Sequence, residues 1–309
     1  MSTLNKPMSV KNDIPVDAMM QPEFQSTIRK TITFEGVGVH SGRACTLTLM
    51  PAEIDTGIVF VRKKADGTKY QFNAHSSETG ATSLSTVLGE GDIRVETIEH
   101  LMAAISAFNI DNIMIHVSSN EIPILDGGSL TYCTAFEETG LLRQKALRKY
   151  IIIKQPIRVE SGESYAEFCP FSGRRFDVSI AFSSPAIGSS KLIFDLERVA
   201  FQKEISRART FGFLKDVEML RAKGMALGSS LENSIVIGDD DTIVNPQGLY
   251  YDNEFVRHKL LDAIGDTALL GAPFIGLFRS YRGGHALNAQ LVKALLDNHK
   301  AYELRALTA

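Results

Sequence analysis

Twice along this chain, runs of strand-like segments give way to helical periodicity, and that repeated order most limits what it can fold into. In the first pass alternation begins after Ser26, and "TLTLMP" (46–51) and "GIVFVR" (57–62) read as strands. "RVETIEHLMAAISAF" (94–108) switches to helical period, with Val95, Ile98, Met102 and Ile105 on one stripe. "NIMIHV" (112–117) returns to strand, and 130–140 form a helix ended by Gly140. The second pass has strands in "YIIIK", "SYAEFC" and "FDVSIAF", then helices near 209–223, 253–270 and 286–297, with a strand "SIVIG" between the first two. Strands first and helices later, twice, predicts two α+β domains. The charged "RQKALRK" (143–149) is the predicted linker. The expected division is a flexible extension over 1–24, a first α+β domain over 25–146 and a second over 147–309.

Composition narrows the function classes. The 309 residues are 44% hydrophobic and 22% charged, which is ordinary for a globular chain with a sizeable core. Net charge is −3, so no overall basic field points to nucleic acid or an anionic membrane. The cysteines, Cys45, Cys133 and Cys169, are far apart, odd in number and without a CxxC pair. Neither a disulfide framework nor a thiolate zinc site is expected, which fits a reducing compartment. The first residues lack the apolar core of a signal peptide, and no run of about 18 apolar residues exists to span a bilayer. A cytoplasmic protein with no integral membrane segment is the expectation; the sequence leaves the oligomeric state open, with a monomer favoured.

Chemistry concentrates in "EFVRHKLLDAIGD" (254–266). At ~100° per residue, Val256, Leu260, Ala263 and Ile264 gather on one side of a helix, with His258, Asp262 and Asp266 on the other. A His and an Asp at i and i+4 both reach one cation, and zinc accepts imidazole nitrogen and carboxylate oxygen. The ordinary alternative is a surface ion pair worth about 0.3–0.5 kcal/mol. A catalytic zinc needs a third protein ligand. In "ETIEHLMAA" Glu99 and His100 both lie off the apolar stripe and offer a ligand and a base, although Ala104 stands where an HExxH helix would carry its second ligand. In "RGGHALN" a glycine turn sets His285 at a helix entry. "SRARTFGF" (206–213) supplies arginines suited to an anionic substrate and Thr210 as a donor to an oxyanion. A helix start with scattered charge is its plain alternative.

Taken together, "GVGVHSG" (36–42), "TIEHLMAA" (97–104), "EIPILDG" (121–127), "RARTFGF" (207–213), "EFVRHKLLDAIGD" and "GHALN" (284–288) resemble the bacterial UDP-3-O-acyl-N-acetylglucosamine deacetylases, zinc enzymes of lipid A biosynthesis. The resemblance runs in family order from about residue 26 to 297. It implies two βααβ-type sandwiches with the active site between them. It implies Zn2+ held by His100, His258 and Asp262, with Glu99 as general base and His285 as proton donor. Thr210 would steady the oxyanion, Asp266 would hold the histidine, and Phe211 and Lys259 would contact the sugar and diphosphate. Three departures touch loop shape: "SLTYCTAF" after "ILDGG", Tyr250 where an arginine is common, and Ala289 where a second asparagine is usual.

The implied substrate is an acylated UDP-sugar. For its acyl chain the helix after "RARTFGF" offers Leu214, Val217 and Leu220, with Ile235 and Val236 nearby. Ordinary core packing is the alternative for all five. Two other functions compete: a zinc amidase on a different substrate, and a non-catalytic nucleotide-sugar or lipid-binding protein. The latter would need neither Glu99 nor His285.

Overall fold

A computed structural model describes residues 23–64, 66–82 and 84–307. Residues 1–22 of the expected extension lie outside the described residues, and Phe24 already belongs to a strand, Phe24–Ile28. The chain is a mixed α+β protein. In one five-stranded sheet the strands run Ile32–Val37, Ala44–Pro51, Ile113–Val117, Ile58–Lys63, Lys69–Asn73 in spatial order. Its neighbours are antiparallel except Ile58–Lys63 with Ile113–Val117, which run parallel. A seven-stranded sheet gathers the later strands around Phe274–Tyr281, which pairs with Lys149–Ile153, Ser164–Cys169 and Arg174–Ala181. Among the described residues no ladder joins a strand before residue 148 to one after it.

Among the described residues six α-helices accompany the sheets: α1 (Glu99–Ala107), α2 (Leu130–Thr139), α3 (Arg198–Glu204), α4 (Leu214–Ala222), α5 (Glu254–Thr267) and α6 (His285–Asp297). The two helices carrying the candidate ligands, α1 and α5, pack against each other. Both are buried on nearly every side, so a polar residue on either faces protein rather than bulk water. Gly265 sets how closely they approach: a Cβ there would stand 2.0 Å from the backbone oxygen of Glu99. Any larger residue would push α5 away from the start of α1. One continuous apolar core runs from Leu47 and Phe60 through Leu101 and Ile105 to Phe176, Leu260, Ile264 and Leu291.

Four expectations need correction. The charged stretch 143–149 is not a free linker. Leu141–Leu147 is a strand paired with Phe24–Ile28, its exposed charges facing solvent. Only Arg148 separates it from the next strand, and Arg148 is buried, gripping Asp111 through two contacts of 2.8 Å. Second, 94–98 are not helical. Ile93–Glu96 pairs with Val87–Glu90, and Thr97, at φ 62°, turns the chain into α1. Its hydroxyl donates to Glu121 at 3.0 Å, which helps hold a backbone conformation that β-branched residues rarely adopt. Third, the helix expected from 209 begins at Leu214, because Thr210–Phe213 is a strand parallel to Ser234–Ile237. Fourth, the later half interleaves helices with strands instead of placing its strands first.

Arg209 is also not available for an anionic substrate. It is fully buried, and its Nε and Nη2 donate to Glu254 at 2.9 and 3.1 Å. The backbone N–H groups of Arg209 and Tyr250 donate to the same carboxylate. The Tyr250 ring lies against both Arg207 and Arg209, 3.9 and 3.8 Å from their guanidinium carbons, which accounts for an aromatic residue there. This cluster ties the Thr210 strand to the start of α5. Glu254→Ala would strand a buried guanidinium, and a loss of about 3–5 kcal/mol is expected in urea unfolding. A loss below about 1 kcal/mol, the size of a surface pair, would contradict it.

Candidate active site

Helix periodicity stacks His258 and Asp262 on α5, and the Gly265 contact brings the first turn of α1 against them. The ligating atoms of His100, His258 and Asp262 then lie within 4.8 Å of one another, and all three residues are buried. Asp262 Oδ1 is 3.3 Å from His258 Nε2 and 3.6 Å from His100 Nε2. A tetrahedral ion with bonds of about 2.0–2.1 Å spaces its ligand atoms roughly 3.3 Å apart. Asp262 Oδ1 has no hydrogen-bond partner although it is buried, while Oδ2 accepts from Lys259 Nζ at 2.6 Å. One carboxylate oxygen is thus fixed and the other is left toward two imidazoles. His258 donates Nδ1–H to the Ala208 carbonyl at 3.1 Å, which turns the Nε2 lone pair to the centre. The Ser129 hydroxyl donates to the His100 carbonyl at 2.7 Å and anchors the start of α1. This donor set fits a zinc-type cation.

Electrostatics agree with the geometry at two of the three groups; at His100 burial is outweighed by Asp262 and Glu99, which raise the imidazole, so a cation binding there would displace a proton. Burial holds the His258 imidazole neutral, down at about 3, against the pull of Asp262. Burial also opposes ionisation of Asp262, yet the groups facing it, with the Lys259 ammonium 2.6 Å from Oδ2, keep the carboxyl well below its usual range. A neutral imidazole and an ionised carboxylate are the forms that ligate. Lys259 stays charged despite burial because Asp262, Asp266 and Glu99 surround it.

Glu99 and His285 face each other beside this group, with Glu99 Oε1 3.8 Å from His285 Nε2. Burial raises the Glu99 carboxyl, and His285 and His100 only partly oppose it. A raised carboxyl suits a general base that must hold and release a proton. Burial alone would lower His285, but Asp266 and Glu99 lift it to about 9. Asp266 Oδ2 takes the Nδ1–H of His285 at 2.9 Å. The imidazole is therefore charged, oriented, and presents its Nε2 proton toward Glu99.

These groups open into a cleft of about 590 Å³. Of the expected residues, Glu99, His100, Thr210, Phe211, His258, Lys259, Asp262 and His285 line it, as do Val217, Leu220, Ile235 and Val236. Asp266 sits behind His285 and does not. Leu214 does not line it either; it is the first residue of α4 and is exposed. Phe211 packs edge-on to His258, ring centres 6.1 Å apart. The Thr210 N–H donates to the Gly127 carbonyl at 2.9 Å, which leaves its hydroxyl as the group able to serve a ligand. Lys259, expected at a diphosphate, lines the cleft and is also paired with Asp262.

Two residues escaped sequence reasoning. Asn288 Nδ2 donates to Asp266 Oδ2 at 2.9 Å, and its position one turn after His285 was a usable signal. Thr86 donates its backbone N–H to Glu99 Oε2 at 3.0 Å and its hydroxyl to Asp266 Oδ1 at 2.5 Å. No spacing rule links Thr86 to either.

Known proteins resemble the chain over most of its length. The family model described as UDP-3-O-acyl N-acetylglycosamine deacetylase matches residues 25–297. The proteins named UDP-3-O-acyl-N-acetylglucosamine deacetylase from Brucella ovis and Brucella canis are each 51% identical to this chain over 281 residues. That alignment covers 91% of this chain and 98% of the relative, and the protein of that name from Brucella melitensis biotype 2 matches to the same extent.

Proposed function

The chain belongs to the UDP-3-O-acyl-N-acetylglucosamine deacetylase family and is an N-deacetylase, and from that premise we propose how its own residues do the work. The substrate is UDP-3-O-acyl-N-acetylglucosamine, hydrolysed to acetate and the free amine in lipid A biosynthesis. The cofactor is Zn2+, held by His100, His258 and Asp262. Bound there, zinc would supply a Lewis acid able to polarise the amide carbonyl and acidify water.

Glu99 Oε1 takes the proton of the attacking water. The Thr210 hydroxyl donates to the oxygen on which charge develops. His285 Nε2 gives its proton to the departing nitrogen, and Asp266, accepting from Nδ1, stabilises the imidazolium before that transfer. Lys259 fixes Asp262 Oδ2 and keeps positive charge near the oxyanion. Phe211 makes one wall for the sugar, and Val217 and Leu220 offer apolar surface to the acyl chain; Leu214 has no such support. Two domains dividing near 146/147 contribute different parts, Glu99 and His100 from the first and the remaining groups from the second. We place the protein in the cytoplasm. Three cysteines without a disulfide and no helix among the described residues able to cross a membrane support that placement.

The observation that carries this reading is a base and an acid, Glu99 and His285, 3.8 Å apart beside three convergent ligand atoms. A binding protein would have no use for that pair. The test is acetate release from the acylated UDP-sugar and from UDP-N-acetylglucosamine lacking the acyl chain. Burying only four methylenes at ~0.8 kcal/mol each is worth about 3 kcal/mol. The acylated substrate should therefore have a kcat/KM higher by roughly 10²-fold. Equal values for the two substrates would count against an acyl-sugar deacetylase and favour an amidase of other specificity.

A further inference from the structure

We infer that Thr86 is a positioning residue that locks the base and the acid of the deacetylation into one geometry; this rests on the functional reading above. Thr86 immediately precedes the strand Val87–Glu90, whose hairpin partner Ile93–Glu96 leads into α1. The hairpin therefore returns the chain to Thr86 as α1 begins, and the Ile98 N–H donates to the Thr86 carbonyl at 3.4 Å.

From that place one residue serves both halves of the proton machinery. Its backbone N–H donates to Glu99 Oε2 at 3.0 Å, leaving Oε1 as the oxygen that faces His285. Its hydroxyl donates to Asp266 Oδ1 at 2.5 Å and lies 3.4 Å from His285 Nδ1. Asp266 Oδ2 meanwhile accepts from His285 and Asn288, both at 2.9 Å. The Asp266 carboxylate is thus held from three directions, and of these three donors Thr86 is the one that also hydrogen-bonds Glu99. Without the hydroxyl, the carboxylate can rotate about its last bond and carry the imidazole away from the base. Thr86 is 2% exposed and does not line the cleft, so it acts through Asp266 and Glu99 and not on substrate.

The discriminating variants are Thr86→Val, which keeps shape and backbone N–H but removes the hydroxyl, and Thr86→Ser, which restores it. For the zinc-loaded enzyme, Thr86→Val should lower kcat for acetate release about tenfold to a hundredfold, the size of effect a misplaced catalytic group produces. KM, zinc content and melting temperature should stay near wild type, and Thr86→Ser should regain most of the rate. In parallel, the downfield Nδ1–H proton resonance of His285, identified by its loss in His285→Ala, should shift or broaden in Thr86→Val and return in Thr86→Ser. Unchanged kcat and an unchanged resonance in Thr86→Val would overturn the inference. So would a rate loss that comes with zinc loss or a raised KM, which marks a merely structural role. If the wild-type protein releases no acetate, the functional reading has failed, and the resonance alone decides whether Thr86 positions His285.

Discussion

Replacing Glu99 with alanine is expected to leave one zinc bound per chain while lowering kcat for acetate release by about 10²–10⁴-fold, the usual worth of a general acid–base group. The expectation follows from the separation of tasks. On the proposed assignment His100, His258 and Asp262 supply the ligand atoms, which lie within 4.8 Å of one another. Glu99 stands beside them, one oxygen held by the Thr86 N–H and the other 3.8 Å from His285. His285→Ala should lose a similar factor and also keep its metal, because His285 Nε2 is 3.9 Å from Asp262 Oδ2 and belongs to the acid–base side of the site. The two losses should not multiply in the double variant, since each group works on the same proton path. Metal analysis beside turnover settles the assignment. A Glu99→Ala protein without zinc would make Glu99 a ligand, and one with full turnover would remove it from the mechanism.

His258→Ala should fail differently, by losing the ion. Structural zinc sites bind with ~10–16 kcal/mol, so one of four ligands is worth roughly 3–4 kcal/mol, on the order of 10²–10³-fold in affinity. His258 has no substitute nearby. Its neighbour Lys259 is a cation, Asp266 is engaged by Thr86, His285 and Asn288, and one oxygen of Glu99 is held by the Thr86 N–H. Turnover should fall with zinc occupancy and recover only partly when zinc is raised far above the protein concentration. A His258→Ala protein that retains stoichiometric zinc through dialysis would contradict the ligand assignment.

What the sequence made legible was local. The i,i+4 spacing of His258, Asp262 and Asp266 holds because α5 is a regular helix over Glu254–Thr267. His285 at the entry of α6 was equally plain, since Gly284 immediately precedes it. Depth was not legible. The polar face of α5 looks as if it could meet water, yet His258, Asp262 and Asp266 are each no more than 3% exposed, because α1 arrives from 150 residues away to cover them. The break at Thr97 was hidden for a related reason. An apolar stripe from Val95 to Ile105 satisfies helical periodicity, but the hairpin partner Val87–Glu90 claims the first residues for a ladder. The charges of 143–149 read as a linker because an edge strand with solvent-facing side chains has the same composition. Thr86 left no trace at all, since its partners are fixed by tertiary contact.

The most direct test of the central claim, a single catalytic zinc at His100, His258 and Asp262, is a titration of chelator-stripped protein with zinc while acetate release from UDP-3-O-acyl-N-acetylglucosamine is followed. Activity should start near zero, rise linearly, and level off at one zinc per chain. Turnover that is undiminished in the stripped protein, or that keeps rising to two equivalents, would contradict it.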